Sequence, residues 1–183
     1  MPPRFRTLLL AACLLALACV APSTALAASG GVSPSDARYQ PAKKAKIVNG
    51  MAIAPRGAPA QVVNAIAAGN KIIRKPYRYG GGHGSFNDSG YDCSGSVSYA
   101  LHGGGLLRSP LDSSSFMHWG LAGKGKWITV YTNPGHAYMY IAGLRLDTGQ
   151  RNKATGAAPG SGPRWNYGAR SNSGFTPRHP NGL

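Results

Sequence analysis

The chain has 183 residues, of which 20 are Lys or Arg, five are Asp and none is Glu, and its formal net charge is +15. Hydrophobic residues make up 43% of it, which excludes a chain too polar to fold, and the length excludes an array of several domains. A net charge of this sign favours an anionic partner, such as nucleic acid, an acidic membrane surface or an anionic cell wall.

The N-terminal residues have the pattern of an export signal. Arg4 and Arg6 precede an apolar run over residues 8–20, and the Ala-Leu-Ala of residues 25–27 has the small-x-small pattern of a signal-peptidase site. The apolar run is too short to span a bilayer, which takes about 20 residues. The sequence therefore predicts a signal peptide over residues 1–27. It also predicts a mature chain without a transmembrane segment, secreted to the cell wall or the periplasm.

A lipoprotein signal is an alternative reading of the same region. Residues 16–19 (Ala-Leu-Ala-Cys) resemble a lipobox, in which Cys19 would carry the lipid. The first position of this motif is usually Leu rather than Ala, which favours cleavage after Ala27 instead.

Removal of the predicted signal peptide changes both the charge and the cysteine count. The loss of Arg4 and Arg6 leaves 18 basic residues and a net charge of +13, and export favours the cell wall over nucleic acid as the anionic partner. Cys93 is then the only cysteine. A single thiol cannot form an internal disulfide, so its presence in an exported protein indicates a reactive residue, with a small core residue as the alternative.

Residues 28–57 are rich in Ser, Gly, Pro and Lys, which predicts a flexible basic linker ahead of a domain over residues 58–183. The first helix of that domain is predicted to start near Pro59, with Gly69 as a weak point or an early stop. Its apolar residues recur at helical spacing: Val62, Val63, Ile66 and Ile73.

A glycine-rich loop running to Gly90 separates this helix from a second one. Asp92 is a strong N-cap residue, so the second helix is predicted to start there and to end at Gly103. Its predicted buried residues are Val97, Ala100 and Leu101.

Residues 103–125 are predicted to form a surface loop around Phe116 and Trp119, and three strands follow it. The strand patterns cover residues 127–131, residues 136–142 after a tight turn, and residues 144–148 after Gly143. The stretch after residue 150 is rich in Gly, Arg and Pro and is predicted to be an extension. It carries three aromatic residues that can anchor it: Trp165, Tyr167 and Phe175.

The position of Cys93 favours nucleophilic chemistry. It falls in the first turn of the second helix, where unpaired backbone N–H groups and the positive end of the helix dipole favour a thiolate. The same N–H groups can hold an oxyanion. Packing on an apolar stripe with Val97 and Leu101 is also compatible with the spacing, but the position and the lone thiol together favour a nucleophile.

His136 is the predicted catalytic base. It alone opens a predicted strand directly after a tight turn, where a rigid sheet can aim its side chain. His83 lies in the glycine-rich loop and His179 stands between Arg178 and Pro180, which are positions typical of solvated surface residues. The remaining two histidines are His102 and His118.

Neither a metal site nor a cofactor is predicted. No histidine pair has the spacing of a zinc motif, and no Cys-x-x-Cys motif occurs. The glycine run at residues 80–84 is followed by no Gly-Lys-Ser/Thr, so it is not a phosphate loop.

Three motifs together resemble the NlpC-type cell-wall cysteine peptidases. They are Pro-Tyr-Arg-Tyr-Gly-Gly at residues 76–81, Tyr-Asp-Cys-Ser-Gly at residues 91–95, and Gly135-His136 opening a strand. The resemblance covers about residues 58–150. It implies an α+β, papain-like fold in which the helix that bears the nucleophile packs on a small antiparallel β-sheet.

The resemblance also implies an activity and further site residues. The family cleaves peptidoglycan stem peptides, commonly at the bond following D-glutamate. Asp92 and Ser94 would help to bind the free amine of the substrate, and Tyr77 would sit near the thiolate. Tyr79 stands where the family usually has Trp, and the extension after residue 150 is not part of the common pattern.

Strand register supports Asp147 as the third member of the site, a position that is often His in the family. If Ala142-Gly143 is a two-residue hairpin turn, Ile141 faces Leu144 and Met139 pairs with Leu146. His136 and Asp147 then share the polar face of the hairpin, diagonal to each other and within side-chain reach. A pair with Arg145, or a cap on the turn at Gly149, are the alternative roles of Asp147.

The sequence thus predicts a secreted cysteine endopeptidase with a Cys93-His136-Asp147 site, acting on peptidoglycan and held by anionic cell-wall polymers rather than by nucleic acid. An amidase or acyltransferase that uses the same thiol is one alternative. A catalytically inactive relative that binds the wall through its charge is another.

Overall fold

The computed structural model describes residues 44–149 and 160–183. The predicted signal peptide, the lipobox and residues 28–43 of the predicted linker lie outside the described residues. The described elements follow in this order: β1 (Lys46–Val48), β2 (Met51–Ile53), α1 (Ala60–Ile72), α2 (Cys93–Gly103), α3 (Ser113–Phe116), β3 (Leu121–Ala122), β4 (Ile128–Asn133), β5 (His136–Ile141), β6 (Leu144–Asp147), β7 (Arg164–Asn166) and β8 (Thr176–His179).

Helix α1 starts after Pro59, as predicted, and buries Val62 and Ile66. Val63 belongs to the same apolar pattern in the sequence, but it is 40% exposed. Gly69 does not end the helix early, since the helix continues to Ile72. Gly69 is required for packing, because a Cβ at this position would collide with the indole of Trp165.

Helix α2 confirms the second helix prediction. It runs from Cys93 to Gly103, and the Asp92 side chain caps it by accepting a 2.8 Å hydrogen bond from the backbone N–H of Gly95. The predicted buried residues are in its core-facing stripe, each with no exposed surface: Val97, Ala100 and Leu101.

Six of the described strands form one antiparallel sheet in the order β3-β8-β4-β5-β6-β7, while β1 and β2 form a separate hairpin. Helix α2 packs on β5 and β6, and α1 packs on α2. The core between these layers includes fully buried Met139, Leu146 and Trp165. The predicted fold class is confirmed: the helix that starts at Cys93 lies on a small antiparallel sheet.

The β5–β6 hairpin has the predicted register. Its pairs are Ile141 with Leu144, Tyr140 with Arg145 and Met139 with Leu146. Ala142 and Gly143 form the two-residue turn with φ angles of 47° and 81°, and positive values at both positions are what a type I′ turn requires. The polar face of this hairpin therefore carries His136 at the start of β5 and Asp147 at the end of β6.

Three regions differ from the sequence predictions. Strands β1 and β2 lie inside the range predicted as a linker, residues 28–57. Residues 103–125 are more than a surface loop, since they contain α3 and β3 and Phe116 is fully buried. Residues 160–183, the described part of the predicted extension, contribute two strands to the sheet, because β7 pairs with β6 and β8 pairs with β3 and β4.

Within the described part of the chain, no helix combines the length and the apolar character needed to cross a membrane.

Candidate active site

The packing of α2 on β5 brings Cys93 and His136 together. Cys93 is the first residue of α2, His136 is the first residue of β5, and their side chains are close enough for each to shift the pKa of the other. The backbone N–H of Ala137 also lowers the pKa of the Cys93 thiol. The thiol is partly buried.

His136 is held from both sides of its imidazole. Its Nε2 lies 3.0 Å from Oδ1 of Asp147, and a carboxylate only accepts, so Nε2 carries the proton that is donated there. Nδ1 is therefore the ring nitrogen that remains for the Cys93 thiol. The turn that precedes the strand is fixed by Asn133, whose Oδ1 accepts from the backbone N–H of His136 at 2.9 Å.

Asp147 has several donors around it, and its side chain is completely buried. Oδ1 accepts from His136 and, at 2.8 Å, from the backbone N–H of Gly149, while Oδ2 accepts from Nη1 of Arg170 at 2.9 Å. Arg145 Nε lies 3.3 Å from Oδ2, an ion-pair distance, but without the alignment of a hydrogen bond. The two alternative roles considered for Asp147, a contact with Arg145 and a cap at Gly149, thus coexist with the contact to His136.

These contacts favour a thiolate–imidazolium pair. Burial raises the pKa of the Cys93 thiol, but hydrogen bonds from His136 and Ala137 and the charge of His136 outweigh burial and hold it below its ordinary value. Burial lowers the pKa of His136, but the hydrogen bonds and negative charges of Asp147 and Cys93 raise it to about 9. Burial raises the pKa of Asp147, yet the hydrogen bonds from His136 and Gly149 and the charges of His136 and Arg170 keep it below its usual range.

Helix geometry also provides candidate oxyanion donors. The first N–H groups of a helix have no intrahelical acceptor. Gly95 N–H is engaged by the Asp92 carboxylate and Ser96 N–H by the Asp92 carbonyl oxygen, at 3.0 Å. Neither the helix nor its cap provides an acceptor for the N–H groups of Cys93 and Ser94, so these two groups can donate to a ligand.

A cleft of about 420 Å³ opens next to Cys93. The three residues predicted to bind substrate, Tyr77, Asp92 and Ser94, line this cleft together with Cys93. Burial raises the pKa of the Tyr77 hydroxyl, and the negative charges of Cys93 and Asp92 add to this effect. The structure therefore places all three candidates within the cleft that the nucleophile faces.

The glycine loop is fastened to the start of α2 by Asp92. The Oδ2 atom of this buried carboxylate accepts from the backbone N–H of Gly80 at 3.1 Å. Gly95 in α2 must lack a side chain, because a Cβ there would collide with the carbonyl oxygen of Gly81. The glycines thus allow the loop to approach the helix N-terminus closely and form one wall of the cleft.

His83 belongs to this wall, contrary to the expectation that it is a solvated surface residue. Its Nε2 lies 3.0 Å from Asp92 Oδ2 and 3.0 Å from Ser94 Oγ, and its side chain is 33% exposed. No spacing in the sequence indicated this contact, since His83 lies in a loop without periodicity. Arg170 was also missed: a buried carboxylate requires donors, but the sequence does not tell which arginine of the extension supplies one.

Among residues 44–149 and 160–183, no group of three or more His, Cys, Asp or Glu side chains is placed to hold a metal ion.

Comparisons with known proteins give structural neighbours only. No protein-family model matches the sequence, and no curated protein matches it. The chain is similar to the solved structure of the peptidoglycan hydrolase RipB from Mycobacterium tuberculosis, with 20% identity and a TM-score of 0.47, over 64% of this chain. It is also similar to two substituted forms of the Resuscitation Promoting Factor Interacting protein RipA, each at 19% identity. For the first form the TM-score is 0.45, and the match covers 82% of this chain and 76% of that chain. For the second form the TM-score is 0.46, and the match covers 81% of this chain and 75% of that chain. The chain spans 64% of the length of the RipB chain.

Proposed function

We propose that the protein is an exported cysteine endopeptidase that hydrolyses peptide bonds in peptidoglycan stem peptides. The observation that carries this proposal is the arrangement of three side chains: buried Asp147 is hydrogen-bonded to His136, and His136 lies next to Cys93 at the N-terminus of α2. Nucleophile, base and orienting carboxylate in this order are the parts that acyl transfer requires. The cell-wall substrate is supported by the resemblance of residues 76–81 and 91–95 to the NlpC-type peptidases and by the strongly basic chain.

The proposed reaction starts from the thiolate–imidazolium pair. The Cys93 sulfur attacks the carbonyl carbon of the scissile bond, and the N–H groups of Cys93 and Ser94 stabilise the oxyanion that forms. His136 donates its Nδ1 proton to the leaving amine as the C–N bond breaks, which leaves a thioester. Neutral His136 then takes a proton from water. The hydroxide attacks the thioester and the C–S bond breaks, which releases the new carboxylic acid and regenerates the thiolate–imidazolium pair. The acid then loses its proton to solvent.

The proposed substrate contacts are Tyr77, Asp92 and Ser94. Asp92 brings a buried negative charge to the cleft, which suits the free ammonium group of a stem peptide. The His83 imidazole already contacts this carboxylate. A substrate ammonium would therefore share Asp92 with the imidazole or displace it.

Mass spectrometry of muropeptides tests the proposal. The protein without residues 1–27 and its Cys93→Ala variant are incubated with the same purified wall digest. Endopeptidase activity is expected to produce a new amine within the stem peptide, only with the wild-type protein. An amidase would instead release intact stems from the sugar, and an acyltransferase would join two fragments. Identical digests with both proteins would favour the inactive wall-binding alternative.

Activity is expected to have a broad pH optimum that ends near pH 9. The thiolate is the attacking form, so the acid limb of kcat/KM should follow the lowered pKa of Cys93. The imidazolium is the proton donor, so activity should fall as pH rises through the His136 pKa of about 9. A pH series with a soluble stem peptide measures both limbs. An optimum below neutrality would contradict the proposed ion pair.

Wall binding is expected to weaken steeply with salt, because exposed charges are screened beyond ~10 Å at ~0.1 M ionic strength. Binding of the Cys93→Ala variant to isolated walls measures this without turnover. A matched variant with Lys44, Lys46 and Arg56 changed to Gln should bind less tightly. It should retain full turnover of a soluble peptide, since none of the three residues lines the cleft. Salt-insensitive binding would contradict the proposal that anionic cell-wall polymers bind the protein through its positive charge.

A further inference from the structure

The stretch between β7 and β8 crosses the polar face of the β5–β6 hairpin. Tyr138 on β5 donates its hydroxyl hydrogen to Oδ1 of Asn172 at 2.6 Å, and Arg145 Nη1 donates to the carbonyl oxygen of Gly168 at 3.1 Å. The backbone N–H of Arg170 donates to the Tyr140 hydroxyl at 3.2 Å. The extension is thus attached to the strands that carry His136 and Asp147 on both sides of Arg170.

The Arg170 side chain is fixed at three points. Its Nη1 donates to Asp147 Oδ2 at 2.9 Å, and its guanidinium lies over the Tyr138 ring at 4.5 Å and over the Phe175 ring at 5.3 Å. Only 20% of the side chain is exposed. A planar cation that packs against two rings loses little further freedom when it binds a carboxylate.

The two oxygens of Asp147 have separate partners. Oδ1 faces His136 and Gly149, whereas Oδ2 has one aligned side-chain donor among the described residues, Arg170. Arg145 lies near Oδ2 without hydrogen-bond alignment. Gly149 therefore holds the carboxylate at Oδ1 and Arg170 holds it at Oδ2, and the two contacts together set its rotation about the Cβ–Cγ bond and the direction of Oδ1 towards the imidazole.

We propose that Arg170 is a positioning residue of the active site, which holds Asp147 so that Oδ1 orients His136 towards the Cys93 sulfur. The inference rests on the proposed function for its effect on turnover. Its effect on the imidazole does not, because that can be measured without any substrate.

The sign of the change in His136 titration separates positioning from simple charge. The groups that face the imidazole or its partner are Cys93, Asp147, Tyr138, Arg145 and Arg170. If Arg170 acted only as a nearby cation, its removal would favour the imidazolium and raise the pKa of His136. If Arg170 positions Asp147, its removal weakens the bond from Oδ1 to Nε2, and the pKa of His136 falls.

The test compares Arg170→Gln with Arg178→Gln. Arg178 is a control from the same extension, because it donates to backbone carbonyl oxygens of Trp119 and Gly120 rather than to the site. Titration of the His136 imidazole is followed by NMR and assigned by its loss in His136→Gln. Turnover of a soluble stem peptide is measured alongside.

Arg170→Gln is expected to lower the His136 midpoint from its value of about 9 and to reduce kcat roughly 10–100-fold, the scale of a small misplacement of reacting groups. Arg178→Gln should leave the midpoint unchanged. If Arg170→Gln does not fold, Arg170→Lys replaces it, with a smaller shift in the same direction. A midpoint that rises or stays the same would overturn the inference. Absence of turnover in the wild type would instead overturn the proposed function and leave the titration result standing.

Discussion

Replacement of Cys93 by Ser is expected to lower turnover by about 10⁶-fold, the scale seen when the nucleophile of an acyl-transfer site is removed. A serine hydroxyl stays protonated where the thiol ionises, because the contacts with His136 and Ala137 shift a thiol pKa but leave a hydroxyl neutral. The substitution changes one atom in a partly buried side chain, so the thermal stability should change little. Release of new amines from a stem peptide, measured beside the melting temperature, checks both expectations.

Thiol labelling provides the control for this result. Iodoacetamide should modify Cys93 in the wild-type protein faster than free cysteine at neutral pH, and full labelling should abolish turnover. His136→Gln keeps the thiol but removes the imidazolium, so its labelling should slow towards the rate of free cysteine. Labelling of the wild type at the rate of free cysteine, or turnover by Cys93→Ser within tenfold of the wild type, would contradict a Cys93 nucleophile.

The contacts that could be predicted from the sequence are short-range ones. The β5–β6 hairpin follows from the alternation of polar and apolar residues between His136 and Asp147 and from a turn that suits positive φ angles. A shift of the strand pairing by one residue would move the apolar side chains of one strand to the other face of the hairpin. Only one register therefore keeps all the apolar side chains on one face. The helix at Cys93 was equally local, because its cap, Asp92, is adjacent in the chain.

The contacts that were missed join distant or aperiodic segments. Arg170 reaches Asp147 across 23 residues, and Trp165 packs on Gly69 from the other end of the domain. A stretch rich in Gly, Arg and Pro has no apolar period, so its strands β7 and β8 gave no signal of their own. Their pairing follows from the sheet edges that β6 and β4 offer, which only the assembled fold makes evident.

The buried charge of Asp147 connects the contacts that could be predicted with those that were missed. Asp147 could be predicted to face His136, but a buried carboxylate next to one histidine would be costly without further donors. The extension supplies the missing donor through Arg170. Within the described residues, the segment 160–183 therefore contributes a positive charge that balances the buried carboxylate of the site.

Replacement of Asp147 by Asn is expected to lower kcat by about 10³-fold or more while the protein still folds, since an amide in place of a catalytic carboxylate costs up to ~10⁴-fold elsewhere. Every aligned partner of Asp147 is a donor: His136 Nε2, Gly149 N and Arg170 Nη1. The NH₂ group of Asn must therefore face another donor, and the imidazolium loses its counter-charge. The pKa of His136 should fall below its value of about 9, and the alkaline limb of the pH profile should move down with it.

Arg145→Gln is the matched control for this substitution, since it removes a cation 3.3 Å from the same carboxylate without removing an aligned hydrogen bond of Asp147. Asp147→Asn also leaves Arg170 without its anion, so the free energy of unfolding should drop by about 3 kcal/mol. Turnover must therefore be measured where circular dichroism shows both variants to be folded. Under those conditions Arg145→Gln should keep kcat within tenfold of the wild type, and its alkaline limb should not move down, because the loss of a nearby cation favours the imidazolium. Equal losses of kcat in the two variants would mean that Asp147 serves only the local charge balance. A folded Asp147→Asn variant with near-normal kcat would exclude Asp147 from the proposed catalytic site.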